Sequence, residues 1–379
     1  MKSFLCICCL LAVQFCFSQS APLTRNIFII TTDGFRWQEV FKGADPVLIR
    51  DPHYVKDTSL MLQQYWDNDA DTRRKKLLPF FWSVIAQQGM LAGNRDFDND
   101  VNVANLYKIS YPGYNEIFTG YADLKFIPNL SVRNKNRNVL EYLNEQEEYA
   151  GKVAAFSSWN VLPFILGKTA TTMPVNGGYE MLNEDNSDTI NTLINQVQKN
   201  IVHKTNTRHD LLTFESAKSY IEQEHPRVLF LGLGETDECA HNKAYDGYLQ
   251  KAHQVDAMLA ELWYYVQTDP FYKDNTTFII TTDHGRGAKN TNWNTHGFWV
   301  KGSGETWMAM LGPGIAASGE LTGKQQIYQK QIAATVSFML GEKFSAGHPV
   351  ADPILLQEKI TENKKIPQTM AVSVSAVNK

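Results

Sequence analysis

The sequence predicts an α/β protein with a doubly wound, mostly parallel central sheet, helices on both faces and cap insertions. Short apolar runs of the β type alternate with longer helical patterns, as expected for parallel strands that are joined by helices. Three of these runs lead into aspartate, at Asp33, Asp237 and Asp283. Because ligands bind beyond the carboxyl ends of parallel strands, the three carboxylates are expected to meet at one edge of the sheet.

The predicted elements follow from the spacing of apolar residues along the chain. Strands are predicted over residues 26–32, 152–157, 228–233, 276–282 and 306–311. Helices are predicted over residues 79–88, 188–200, 244–266 and 325–340. Residues 42–75 and 160–225 are more polar and less regular, so we interpret them as insertions that wall or cap the site.

The first 20 residues predict an exported protein. Lys2 precedes an apolar centre and a small-residue end, which is typical of a secretory signal peptide and predicts a periplasmic or secreted product. No other stretch approaches the ~18 apolar residues of a membrane helix, so no stable membrane anchor is expected. Residues 21–360 are then expected to form the main folded domain, with residues 361–379 as a C-terminal tail.

Composition restricts the kinds of partner. The net charge is −4 and no basic block occurs, which disfavours a nucleic-acid duplex and leaves a small-molecule substrate as the expected partner. Four of the five cysteines lie in residues 1–20, and the fifth, Cys239, is expected to be a small buried residue. Oligomeric state is not determined by these observations.

Two motifs have the composition of metal sites. Asp237 and His241 are one helical turn apart, so both side chains would fall on one face of a helix that follows a strand. Asp283 and His284 end a strand, and Gly285 permits the sharp turn or close approach that adjacent ligands require. The alternatives are a solvated helix face for the first pair and an aspartate that caps a helix for the second.

A third imidazole could come from His296, which precedes the strand predicted over residues 306–311. His348 is a competing candidate near the C-terminus. Three carboxylates and three imidazoles suit two zinc ions, although other divalent cations are possible. The full candidate set is Asp33, Asp237, Asp283, His241, His284 and His296.

Ser110 is the candidate nucleophile. Pro112 suits the first turn of a helix, so Ser110 would lie at its N-terminal end, where free N–H groups favour negative charge. An ordinary N-cap role is the alternative for any serine in this position.

In these residues the chain resembles the alkaline phosphatase superfamily, within it the branch of nucleotide pyrophosphatases and phosphodiesterases. Five motifs occur in the order typical of that superfamily: Asp33, the Ser110 segment, Asp237 with His241, Asp283 with His284, and His296. The resemblance implies an alkaline phosphatase-like fold and a phosphoric ester hydrolase that forms a phosphoseryl intermediate. It also implies one zinc held by Asp237, His241 and His296, and a second held by Asp33, Asp283, His284 and the Ser110 oxygen.

The resemblance also indicates residues for substrate binding. It places an asparagine about twenty positions after the nucleophile, for which Asn129 is the first candidate and Asn134 the rival. Trp159 and Arg286 are further candidates, although Arg286 could equally be a surface charge. Tyr114 stands where sulfatases of the superfamily carry arginine, which argues against a matured sulfatase. A phosphotransferase or mutase, and a non-catalytic glycan-binding protein with a structural metal site, remain as alternatives.

Overall fold

The computed structural model describes residues 21–125, 127–183 and 189–356. The predicted signal peptide and the tail over residues 361–379 lie outside them. Strands form wherever apolar and β-branched residues are continuous, and β1, with the sequence NIFIITT, is buried along its whole length. The strands are β1 Asn26–Thr32, β2 Met90–Ala92, β3 Asn99–Asn102, β4 Val153–Ser157, β5 Val175–Gly177, β6 Val228–Leu233, β7 Thr276–Thr281, β8 Glu305–Thr306, β9 Met308–Leu311, β10 Gly319–Glu320 and β11 Gln325–Tyr328.

Helices fill most of the segments between these strands. The α-helices are α1 Trp37–Lys42, α2 Thr58–Tyr65, α3 Ala70–Leu77, α4 Ala86–Gln88, α5 Ser110–Thr119, α6 Val139–Asn144, α7 Leu162–Ile165, α8 Thr189–Asn200, α9 Asp210–Glu224, α10 Glu235–His241, α11 Tyr245–Thr268 and α12 Ile332–Met339. A π-helical turn, Phe81–Ile85, leads directly into α4. Short 3-10 helices cover Leu48–Arg50, Arg95–Phe97, Lys168–Ala170 and Gln329–Gln331. No helix among the described residues is long and apolar enough to cross a bilayer.

The predicted fold class is confirmed. The large sheet has eight strands in the order β10-β2-β9-β7-β1-β6-β4-β5, and the five strands β7, β1, β6, β4 and β5 run parallel to one another. β9 is antiparallel to both β7 and β2. A second sheet of three strands has the order β11-β3-β8.

The two faces of the large sheet bury different sides of β1. Alternate residues point to opposite faces of a strand, so Phe28 and Ile30 join one core cluster while Ile27 and Ile29 join the other. The first cluster includes residues of α9 and α11, and the second includes residues of α5, α6 and α12. Helices therefore cover both faces, as a doubly wound sheet requires.

Three predictions of local structure are wrong. Residues 325–328 form strand β11, not the start of a helix, because they pair with β3 in the small sheet. The strand predicted over residues 306–311 is split into β8 and β9, which belong to different sheets. Residues 160–225 are more regular than predicted, since they also contain α9, which packs against β4 and β6 through Phe214 and Ile221.

Ile30 provides a test of the central strand, because it lies fully buried between two neighbouring strands. We expect Ile30→Ala to lower the free energy of unfolding by about 2–5 kcal/mol, since it removes buried methyl groups and leaves a cavity. Denaturant titration followed by circular dichroism measures the change. Leu60→Ala, at a side chain that is 39% exposed, is the control and should change stability by less than about 1 kcal/mol. Equal losses in the two variants would contradict the assigned core.

Candidate active site

The carboxyl ends of β6, β1 and β7 lie side by side. Thr31 of β1 is in register with Gly232 of β6 and with Thr281 of β7, so the residues that follow the three strands emerge at one edge. Asp33 follows β1 directly, Asp283 is the second residue after β7, and Asp237 lies in α10, which begins two residues after β6. Gly285, which follows His284, packs closely against β8 and must be glycine, because a β-carbon there would lie 2.2 Å from the Glu305 carbonyl oxygen.

Four side-chain atoms form the first group around His284. The Nε2 atom of His284 lies 3.5 Å from Asp33 Oδ1, 3.5 Å from Asp283 Oδ2 and 3.3 Å from Ser110 Oγ. Its Nδ1 atom donates to the Gly285 carbonyl oxygen at 2.9 Å. That hydrogen bond fixes the tautomer and directs the Nε2 lone pair toward the carboxylates, as in metal-binding histidines.

Each of the two carboxylates of the first group has one oxygen without a partner. Asp33 Oδ1 and Asp283 Oδ2 are buried and have no hydrogen-bond partner, which costs about 1–3 kcal/mol or more for each atom unless an ion satisfies it. Burial, and secondarily the charge of Asp283, raises the pKa of Asp33 well above its usual value. Buried carboxylates beside an imidazole lone pair are a donor set that fits zinc.

Asp237, His241 and His296 form the second group, which is more open to solvent. His241 Nε2 lies 3.1 Å from Asp237 Oδ2 and 3.0 Å from His296 Nε2, and the His241 side chain is 50% exposed. His296 Nε2 lies 3.8 Å from Asp237 Oδ1. Burial and the neighbouring cationic groups lower the pKa of His296 well below its usual value, so its imidazole is neutral and able to bind a metal.

The two groups share one wall. The rings of His284 and His296 are stacked, with their centroids 4.0 Å apart. His284 Nε2 lies 3.9 Å from Asp237 Oδ1, so Asp237, His284 and His296 also present donor atoms close enough together to hold one ion. His284 could therefore bind a metal in either of the two groups. The sequence alone does not indicate this.

Arg286 is only 1% exposed, so the interpretation of this residue as a surface charge is wrong. Its guanidinium donates to the carbonyl oxygens of Gly34 and Asn294, at 3.1 and 2.7 Å, and to the carboxylate of Asp237. Burial lowers the pKa of Arg286 to about 9. With its donors directed at the protein, Arg286 holds Asp237 in place; it does not extend toward solvent.

Ser110 is the first residue of α5 and is 4% exposed. Ile109 occupies the N-cap position and α5 has no side-chain cap, so Ser110 is not an ordinary N-cap residue. Its hydroxyl instead lies between His284 and the side chain of Asn129, with Asn129 Nδ2 at 3.5 Å from Ser110 Oγ. The structure brings the predicted nucleophile into the first group of ligands.

Asn129 lies closer to Ser110 than its rival does. Its Oδ1 atom accepts a hydrogen bond from the backbone N–H of Tyr111 at 2.8 Å, which aims the amide nitrogen at the Ser110 hydroxyl. Asn134 is buried and donates to Asn115 Oδ1 at 2.9 Å. Trp159 follows the end of β4 and has its ring centroid 6.1 Å from that of Tyr114.

The competing imidazole, His348, and the cysteine Cys239 both lie outside the two groups. His348 stacks on Tyr121 and has its ring nitrogens 3.0 Å from the carbonyl oxygens of Arg137 and Pro349. Its position leaves His296 as the third imidazole of the cluster. Cys239, expected to be buried, is only partly buried, and burial raises its pKa to about 12, which disfavours the thiolate that binds metals.

Two buried residues of α5, Tyr114 and Glu116, make contacts at the site that the sequence did not indicate. The Tyr114 hydroxyl donates to Asp33 Oδ2 at 3.4 Å. Its spacing of four residues from Ser110 places both side chains on one helix face, so helical periodicity could have found it. Glu116 accepts hydrogen bonds from the backbone N–H groups of Ala104 and Asn105, at 2.7 and 2.9 Å, and thereby fixes the loop that leads into Ser110.

The chain resembles known proteins both in its sequence profile and in its fold. The sequence profile described as type I phosphodiesterase / nucleotide pyrophosphatase matches residues 44–337. No curated protein matches the chain. Among solved structures, a quadruple mutant of the alkaline phosphatase PafA has 12% sequence identity and a TM-score of 0.57, and the match covers 88% of this chain and 99% of that one.

Two further solved structures share the fold at 12% identity. The lipoteichoic acid synthase LtaP from Listeria monocytogenes has a TM-score of 0.53, with 86% of this chain and 74% of that chain covered. The phosphonate monoester hydrolase of Agrobacterium radiobacter has a TM-score of 0.54, with 87% and 76% covered. At this level of identity the similarity concerns the fold, and the sequence profile carries the family assignment.

Glu116→Gln tests the anchoring of the nucleophile loop. Glutamine can accept through only one oxygen and would place its amide N–H₂ against backbone donors, so the free energy of unfolding should fall by about 1–3 kcal/mol. Turnover should fall as well, because Ser110 would lose its fixed position. Denaturant titration and steady-state kinetics measure both effects. Glu222→Gln, on the exposed side of α9, is the matched control. A Glu116→Gln protein as stable and active as this control would contradict the role of Glu116.

Proposed function

Because the chain belongs to the type I phosphodiesterase / nucleotide pyrophosphatase family, it is a metal-dependent phosphoric ester hydrolase, and we propose that Ser110 is its nucleophile. The observation that carries this proposal is the convergence of Ser110 Oγ, Asp33 Oδ1 and Asp283 Oδ2 on His284 Nε2, at 3.3, 3.5 and 3.5 Å. A buried serine beside unpartnered carboxylate oxygens is better suited to chemistry at a cation than to stabilising the fold.

Two zinc ions are the proposed cofactors. Asp33, Asp283, His284 and the Ser110 oxygen would hold one, and Asp237, His241 and His296 the other. Bound zinc supplies a Lewis acid that favours the alkoxide of a serine and neutralises charge on phosphoryl oxygens. Arg286 fixes the Asp237 carboxylate, and the backbone carbonyls that bind His284 and His296 through Nδ1 orient both imidazoles.

The proposed reaction proceeds in two displacements. Ser110 Oγ forms a bond to phosphorus while the bond to the leaving oxygen breaks, and water then cleaves the phosphoseryl ester and restores the serine. Asn129 would bind a phosphoryl oxygen through Nδ2, because its Oδ1 is held by the Tyr111 N–H at 2.8 Å. The N-terminal end of α5 adds a favourable dipole at the same place.

The substrate we propose is a small phosphodiester, acted on outside the cytoplasm. The donors of Arg286 are directed at Gly34, Asn294 and Asp237, which leaves this residue without a role in binding the second charge of a monoester. A diester carries one charge fewer and fits such a site better. The exported location is supported by the composition of residues 1–20.

Ser110→Ala tests the nucleophile. Loss of the attacking oxygen should lower kcat by at least about a thousandfold, while the zinc content decreases little because three ligands of that group remain. Ser110→Thr should retain activity, since it restores a hydroxyl at the same position. The assay follows release of p-nitrophenol from bis(p-nitrophenyl) phosphate and from p-nitrophenyl phosphate, with faster turnover expected for the diester. Ser318→Ala, at an exposed serine, is the control. Near-normal turnover by Ser110→Ala would refute the mechanism.

Zinc content and chelation test the cofactors. Elemental analysis of the purified protein should give about two zinc ions per chain, and removing them with a chelator should abolish turnover and lower Tm, since bound metal stabilises the folded state. Asp283→Asn and His241→Ala should each reduce the content toward one ion, because they alter different groups. Less than one zinc per chain in the active wild-type protein would contradict the assignment of the cofactors.

A further inference from the structure

Two aromatic side chains stand exposed directly after His296. Trp299 is 90% exposed and Phe298 is 45% exposed, and their rings contact each other edge-to-face with centroids 4.5 Å apart. Large aromatic side chains usually stabilise a fold by being buried. Two of them exposed side by side therefore commonly mark a binding surface. We refer to Phe298 and Trp299 as the aromatic pair.

The aromatic pair lies close to the second group of candidate ligands. Three residues span at most about 11 Å, so the Trp299 backbone lies within that distance of the His296 backbone. The actual path is shorter, because Val300 N–H donates to the Gly297 carbonyl oxygen at 3.0 Å and closes a turn with Phe298 and Trp299 at its corner.

The turn is held in place at both ends. On one side, His296 Nδ1 donates to the Lys108 carbonyl oxygen at 3.3 Å. On the other, Ser303 Oγ accepts from the Gly297 N–H at 3.1 Å, and the Ser303 carbonyl oxygen accepts from the Gly285 N–H at 2.9 Å. These bonds connect the turn to the loops that carry both groups of ligands, so the aromatic pair is presented in a fixed position.

The position of the aromatic pair indicates which part of a substrate it would contact. Ser110 lies in the first group, whereas His296 and the half-exposed His241 belong to the second. In an in-line displacement the leaving group departs opposite the nucleophile, and therefore toward the second group and the turn that follows His296. A flat apolar leaving group in that position would pack against the exposed indole ring of Trp299.

Resting on the proposed function, we infer that Phe298 and Trp299 form a subsite for an aromatic leaving group of the phosphate ester. Burying such a group against the indole face removes apolar surface from water and adds the preference of aromatic rings for stacked or edge-to-face contact. The subsite selects esters of aromatic alcohols over esters of small aliphatic alcohols. It takes no part in the bond-breaking step itself.

The test measures binding, not turnover, and uses the zinc-loaded full-length protein. Titration calorimetry compares 2-naphthylmethylphosphonate with methylphosphonate, which share the phosphonate and differ in the aromatic group. Trp299→Ala should weaken binding of the naphthyl compound on the order of tenfold and leave methylphosphonate unchanged, as expected for loss of one stacking contact. Trp299→Phe should recover most of the loss. Tyr264→Ala, which removes an aromatic ring 72% exposed on α11, is the control.

Two results would overturn the inference. The first is a lack of preference for the naphthyl compound. It would appear as equal binding of the two phosphonates by the wild-type protein, or as equal weakening of both by Trp299→Ala. The other is cosedimentation with phosphatidylcholine vesicles that depends on Trp299 without any preference for the naphthyl compound, which would make the pair a lipid contact. Either result leaves the proposed function intact, because that proposal fails only through the turnover of Ser110→Ala or through the zinc content.

Discussion

Burial of like charges at one edge of the sheet is the constraint on which the rest of the structure depends. Asp33 and Asp283 each direct an unpartnered oxygen at His284 Nε2, and Asp237 lies beside them. Carboxylates that are removed from water and held side by side repel one another, and each strongly prefers a cation or a proton. A protein that maintains this arrangement gains nothing in stability from it unless ions bind, so the arrangement points to chemistry.

The surrounding residues keep the carboxylates from relaxing apart. Arg286 binds the Asp237 carboxylate and the Gly34 carbonyl oxygen, and so links the loop after β1 to the helix after β6. The carboxylate of Asp210 accepts from the N–H groups of Gly234 and Glu235, at 2.7 and 3.0 Å, at the beginning of α10. Glu235 returns the contact by accepting from the Asp210 N–H at 2.9 Å. The helix that carries Asp237 and His241 is thereby fixed at its first turn.

The two groups of ligands differ in their access to solvent, and this difference suits a hydrolase. Asp283 and His284 are fully buried and Ser110 nearly so, which would limit competition from water at the proposed nucleophile. His241 is half exposed and lies on the open side, where a leaving group could depart and water could enter. The exposed pair Phe298 and Trp299 extends that open side with apolar surface. In the proposed reaction, attack would take place on the buried side and the leaving group would depart on the open side.

The sequence by itself determined the parts of this protein that depend on short-range patterns. Continuous apolar runs predicted β1, β6 and β7 within one residue, and motif order predicted six candidate ligands that the fold brings together, because side-chain periodicity and strand direction are local properties. Only the tertiary structure decided that Arg286 is a buried partner of Gly34, that residues 325–328 pair with β3, and that Glu116 anchors the loop before Ser110. The first two depend on partners more than 200 positions away in the chain, and the third on how α5 packs against its own leading loop. Contacts at such distances are chosen by the packing of the whole chain, which no local pattern encodes.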